Sequence, residues 1–284
     1  RSVPHPGRVR PVAEEAVIVH RSPAPDRVFL YTPGLARAPG GRLIASLDQG
    51  GPGLKDLPAP AVGSGQGMVF TSDDRGRTWT YRTHFPFLHA RPFVAGNRLY
   101  VLGHRRDLAV IASDDNGETW SEPKLLTNGQ AWHQSACNVH HANGSVYLVM
   151  ERAMGGDMKA GWRVSELAPV LMRGAEDADL TDAANWTFAD TLRFRDAVDD
   201  RSLDFFGVPF FPAFYPERLH PAPRRDCNPM GWLEANVVQI TDPGHYWHDP
   251  AGRTFHLWMR AHTGGTGYAA IAKVVEQEIG RAHV

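Results

Sequence analysis

Apolar residues in this chain fall in short, strand-length runs separated by turn-forming Gly, Pro, Asp and Asn. A first unit holds runs at 28–31, 42–46 and 67–71, and a second holds 98–102 and 108–112. A third carries 145–150 and a strand near 164–172, and a fourth carries 235–240, 255–259 and 268–272. Two of these runs lead into the same pattern, Ser72-Asp73-Asp74-Arg75-Gly76-Arg77-Thr78-Trp79 and Ser113-Asp114-Asp115-Asn116-Gly117-Glu118-Thr119-Trp120. Each reads Ser-x-Asp-x-Gly-x-Thr-Trp and suits the turn of a β-hairpin. The Asp can accept backbone N–H bonds, the Gly can take positive φ, and the Trp can bury against the next sheet. The copies begin 41 residues apart, the length of one four-stranded unit in a radially repeated β architecture, which predicts an all-β propeller. The third unit has a degenerate version, Thr181-Asp182-Ala183-Ala184-Asn185-Trp186, which keeps only the Asp and the Trp. The Pro- and Phe-rich stretch 199–230 reads as a loop over one face rather than a linker between domains.

The repeated pattern resembles the Asp box, or BNR repeat, of the sialidase superfamily. That resemblance implies a six-bladed propeller in the full protein, of which about four blades are visible here, and places the boxes away from the catalytic face. Asp74 and Asp115 are therefore expected to fold blades rather than to catalyse. The chain is expected to be an incomplete propeller domain over residues 1–277, with exposed strand edges prone to aggregation. The closing residues 279–284 back-translate into the start of a common sequencing adapter, so 278–284 are expected to be adapter-derived.

Composition narrows the partners. Thirty basic residues against thirty-one acidic ones, for a net charge of −1, give no field that would favour nucleic acid or an anionic membrane. No apolar run approaches a membrane span. The 28 Gly and 22 Pro imply many turns, and 42% apolar residues can form a core. Cys137 and Cys227 can pair or stay free, and free thiols are the favoured reading because a propeller needs no staple. No His-x-x-x-His or Cys-x-x-Cys spacing points to zinc, and no cofactor is expected.

The stretch Gly231-Trp232-Leu233-Glu234-Ala235-Asn236-Val237-Val238, with Phe255-His256-Leu257-Trp258-Met259-Arg260 after it, resembles the sialidase region in which a Glu opens one strand and an Arg ends the next. By that resemblance Glu234 is the base that activates a Tyr nucleophile, and Arg260 grips a substrate carboxylate through bidentate hydrogen bonds. The family's Arg-Ile-Pro motif is matched here by Tyr31-Thr32-Pro33, so Tyr31 stands where the first carboxylate-binding Arg is expected. The family's acid Asp lies in the loop before the first box, where Asp48 and Asp56 are the carboxylates, and Asp56 is preferred because it lies deeper in that loop. Export to the periplasm or the cell exterior is the expectation that accompanies the resemblance.

Fourteen histidines open a second mechanism. His89, His104, His133, His140, His141 and His262 lie at strand starts or ends, a layout that resembles propeller polysaccharide lyases acting on uronate-containing glycans, for example at rhamnose–glucuronate linkages. In that reading Arg163 neutralises the uronate, His104 or His133 takes the C5 proton, and Tyr147 acts as acid. A third reading is a propeller that only binds glycan or protein, through Trp132, Trp162, Trp232, Trp247 and the phenylalanines of 205–211. Both enzymatic readings have an acidic oligo- or polysaccharide as partner.

Overall fold

The computed structural model describes residues 16–57, 65–133, 137–154, 167–191, 234–237, 247–248, 254–263 and 266–275. Strands β1 (Phe29–Arg37), β2 (Leu43–Gly50), β3 (Gly65–Ser72) and β4 (Thr80–Phe85) pair antiparallel in chain order. The next four, β5 (Leu88–Ala95), β6 (Arg98–Arg105), β7 (Asp107–Ser113) and β8 (Lys124–Leu125), repeat that meander. In the third sheet, β9 (Trp132–His133) and β10 (His140–Ala142) both pair with β11 (Ser145–Ala153), followed by β12 (Leu167–Ala175) and β13 (Trp186–Phe188). A fourth sheet is built from β14 (Trp247–His248), β15 (Thr254–Thr263) and β16 (Thr266–Val275). Successive antiparallel meanders, the first packed on the second and the second on the third, are the blades of a partial β-propeller. No helix among the described residues is long and apolar enough to cross a membrane.

The uninterrupted apolar runs of the second blade follow from its place between two others. Leu99, Val101, Ala109 and Ile111 face the first blade, where they meet Ile44, Val69 and Phe85. Tyr100, Leu102, Leu108 and Val110 face the third, against Val146, Leu148, Met150, Met172 and Trp186. A sheet buried on both faces cannot alternate polar with apolar.

Both boxes form the expected turns. Asp74 accepts the Thr78 N–H at 2.9 Å, and Asp115 accepts that of Thr119 at the same distance. The Trp79 and Trp120 indoles donate back to Gly76 and Gly117. Two consecutive residues are left-handed in each turn, Arg75 and Gly76 (φ 64° and 86°) and Asn116 and Gly117 (φ 62° and 87°). Hydrogen bonds from Thr78 and Thr119 hold Asp74 and Asp115 down at about 2. Between blades, the boxes are tied by arginines: Arg42 reaches Asp73 of its own box at 2.6 Å and Glu118 of the next. Arg98 likewise joins Asp114 to Asp179 in the third blade. The degenerate third hairpin keeps the indole bond, Trp186 to the Leu180 carbonyl at 3.0 Å, while Asp182 caps a short 3-10 turn through the Ala184 N–H.

In the fourth unit, 255–259 and 268–272 fall inside β15 and β16. Of the expected strand 235–240, residues 235–237 are not strand, and 238–240 lie outside the described residues. There the chain is held instead by Asn138, whose Oδ1 accepts the Val237 N–H at 2.8 Å and whose Nδ2 donates to the Val237 carbonyl. The loop 199–230, Cys227 and residues 276–284 also lie outside the described residues.

One glycine is decisive for the first blade. A Cβ on Gly67 would stand 1.8 Å from Phe85, whose ring is fully buried against Phe87 with centroids 4.3 Å apart. Gly67→Ala must expel that ring, and we expect it to cost about 3 kcal/mol or more. Chemical denaturation of parent and variant measures the loss, and an unchanged midpoint would place Phe85 elsewhere.

Candidate functional site

The register of the strands separates two ends of the sheets. Leu43 pairs with Ser72 at the box end of the first blade, and Asp48 pairs with Gly67 five residues further on, about 16 Å away. His89 is the second residue of β5, His104 lies one residue before the end of β6, and Glu151 and His133 pair where β11 meets β9. All of these lie toward the end opposite the boxes.

Three histidines from two blades cluster there. His104 Nε2 lies 3.2 Å from His89 Nδ1, and the ring centroids of His89, His104 and His133 are 5.1, 5.2 and 5.7 Å apart. Burial, then the neighbouring His89, His133 and Arg91, push His104 down to about 3, so it is neutral at physiological pH. It acts there through hydrogen bonds rather than charge.

Carboxylates flank the cluster on two sides. Asp48 is 1% exposed, and its Oδ2 accepts the His89 N–H at 2.6 Å. Its Oδ1 makes no hydrogen bond of good geometry, with Thr32 the polar side chain beside it. Burial raises Asp48 to about 7, against the opposing pull of the His89 N–H and Thr32. On the other side Glu151 is wholly buried; its Oε2 lies 3.1 Å from His133 Nδ1 and its Oε1 accepts the backbone N–H of Glu234. Glu234 has its own side chain exposed and its backbone left-handed at φ 58°. A non-glycine residue held at positive φ by a buried partner is the kind of strain that collects at working sites.

Beneath the cluster lies Arg91, 2% exposed, donating to the Val149 carbonyl at 3.2 Å and to the Cys137 thiol. Arg91, Cys137, Asn138, Pro33, Gly34 and Pro92 line a cleft of about 440 Å³ between β1, β5 and the segment before β10.

The structure thus joins His104, His133 and Glu234, with His89 among them. Asp48, rather than Asp56, is the carboxylate that reaches the cluster, and it does so from strand β2 rather than from a loop; Asp56 is in a short 3-10 turn, exposed and paired with Arg27 at 3.0 Å. Tyr31 pairs with Asp48 in register but is 45% exposed on β1, the edge strand of its sheet. Tyr147 is four residues before Glu151 on the same face of β11, about 13 Å from it, beside His140 and Arg173 in register. His141 pairs with Glu176 at 2.8 Å. Arg260 and His262 are placed on β15, opposite Ala269 and Gly267. Arg163, Trp162, Trp232 and residues 205–211 lie outside the described residues. Trp132 is buried in the core between the second and third blades.

Glu151 and Arg91 escaped the sequence reading. The available signal was a charge at the end of the apolar run Val146-Tyr147-Leu148-Val149-Met150 and another within His89-Ala90-Arg91-Pro92-Phe93, since a buried charge requires a partner.

The sequence matches no protein-family profile and no curated protein. Solved structures of like arrangement include the α-L-arabinofuranosidase of Lactobacillus brevis, at 17% identity and TM-score 0.43 over 60% of this chain and 58% of that one. The Penicillium chrysogenum α-L-arabinanase complexed with arabinobiose aligns at 17% identity and TM-score 0.38, over 59% and 50%. A Hadza microbial sialidase aligns at 14% identity and TM-score 0.39, over 58% and 38%. The chain therefore spans between about two fifths and three fifths of these structures. They do not single out sialidases, and at these TM-scores they add no weight to the topology or to the chemistry of the site.

Proposed function

We propose that this chain is part of a propeller glycosidase that removes a terminal acidic sugar, with Glu234 as catalytic base and Asp48 as general acid. The observation that carries the reading is Glu234 itself: an exposed carboxylate on a left-handed backbone, pinned by buried Glu151 beside a three-histidine cluster. Most glycosidases pair one carboxyl group that keeps its proton near neutrality with one that does not. Burial makes Asp48 the first of these. The acidity of the sugar rests on the resemblance that gives Arg260 its carboxylate-binding role, and export on the same resemblance.

The histidine cluster favours one second reading, the β-eliminating lyase, because His104 and His133 stand together. Tyr147, its acid, is about 13 Å along β11 from the cluster, which weighs against it.

Incubating the full-length protein with glycans that end in an acidic sugar decides among the readings. Free sugar without an ultraviolet-absorbing product supports the hydrolase. An absorbing, unsaturated uronate means the lyase, and retained binding without turnover means a binding propeller.

A further inference from the structure

Glu151 is used by neither reading, yet it is the most enclosed carboxylate among the described residues and touches both sides of the site. One oxygen faces His133 Nδ1 at 3.1 Å, and the other accepts the N–H of Glu234, with the Ala235 N–H at 3.4 Å. The charged or titratable groups around it are His133, Arg91 and Cys137, together with Glu234, whose backbone it holds. A carboxylate only accepts, so the group opposite each oxygen must donate. His133 is thereby fixed with its proton on Nδ1, leaving Nε2 as the acceptor of the neutral ring.

The geometry points to Glu151 as the positioning residue of the site, which sets the left-handed turn of Glu234 with one oxygen and the tautomer of His133 with the other. This rests on the reading of Glu234 as a catalytic group, but its test does not need turnover. A single side chain spanning 18 residues back to His133 and 83 forward to Glu234 couples two segments that no local sequence preference brings together.

The informative variant is Glu151→Gln. An amide offers one acceptor and one donor, so it can serve Glu234 or His133 but not both. If its oxygen keeps the Glu234 N–H, its NH2 faces His133 and moves the ring proton to Nε2. If the amide turns over, two donors oppose each other at Glu234 and the turn is released.

Nitrogen-15 NMR of the histidines at about pH 8, above their ordinary range, reads the tautomer, and hydrogen exchange of the Glu234 amide reads the turn. In the parent we expect the Nδ1–H tautomer at His133 and a protected Glu234 amide. In Glu151→Gln one of the two is lost, with kcat down about 100-fold and KM within about twofold. Retention of both signals together with parental kcat overturns the proposal. So does a parent whose His133 carries its proton on Nε2, whether or not the variant folds. If the parent hydrolyses no glycan but shows both signals, the glycosidase reading fails and the positioning role stands.

Discussion

Replacing Glu234 by Gln is expected to lower kcat of the full-length protein by 10²- to 10⁴-fold, the usual contribution of a positioned general base, while substrate binding and folding stay near those of the parent. The side chain is exposed, so its loss of charge removes no packing, and surface changes of this kind are worth within about 0.5 kcal/mol. The contacts that hold this segment come from its backbone: the Glu234 N–H to Glu151 and the Val237 N–H to Asn138. Gln retains both. Steady-state kinetics with a parallel binding titration separate the outcomes. Equal losses of kcat and kcat/KM mark an interaction made in the transition state, and a rise in KM alone reduces Glu234 to a binding contact.

Asp48→Asn should make the stability of the fold more acid-sensitive between about pH 4 and 6.5. Asp48 is raised to about 7, so its protonated form stabilises the native state at low pH. That stability is lost as pH rises from about 4 to about 7, at about 1.4 kcal/mol per unit. His104 is lowered to about 3, so its contribution is present above its ordinary value of about 6.5 and is lost as pH falls from there. Between about pH 4 and 6.5 these two slopes oppose and largely offset each other in the parent. In Asp48→Asn the amide oxygen still accepts the His89 N–H, but the carboxyl titration is gone and the His104 slope stands alone. The variant should lose on the order of 3 kcal/mol relative to the parent between pH 6.5 and 4. Above pH 7 it should match or exceed the parent, because no ionised carboxylate is then buried. Denaturation midpoints across that range test this, and parallel curves for parent and variant would place Asp48 in solvent. In the parent, activity that needs the Asp48 proton should decline as pH rises through about 7.

The two Ser-x-Asp-x-Gly-x-Thr-Trp turns were readable because the bonds that fold them run within eight residues, from Ser72 to Trp79 and from Ser113 to Trp120. The blade strands 98–102 and 108–112 were readable for a different reason: a sheet buried on both faces writes an unbroken apolar run. Glu234 was legible through its resemblance to a family stretch. The choice between Asp48 and Asp56 was not. Both stand in the same Gly- and Pro-rich region, and only the pairing of β2 with β3, which sets Asp48 opposite Gly67, buries one and leaves the other to Arg27 in solvent.

What the chain determined by itself is the repeating hairpin and the length of a blade, since turn chemistry and apolar runs act over a few residues. What only the tertiary structure decided is the site. His89, His104 and His133 follow no motif spacing, and Glu151 meets a partner 83 residues away. These groups converge because consecutive blades present the same strand ends to one face, and burial there, rather than residue type, makes Asp48 hold its proton and His104 release its own.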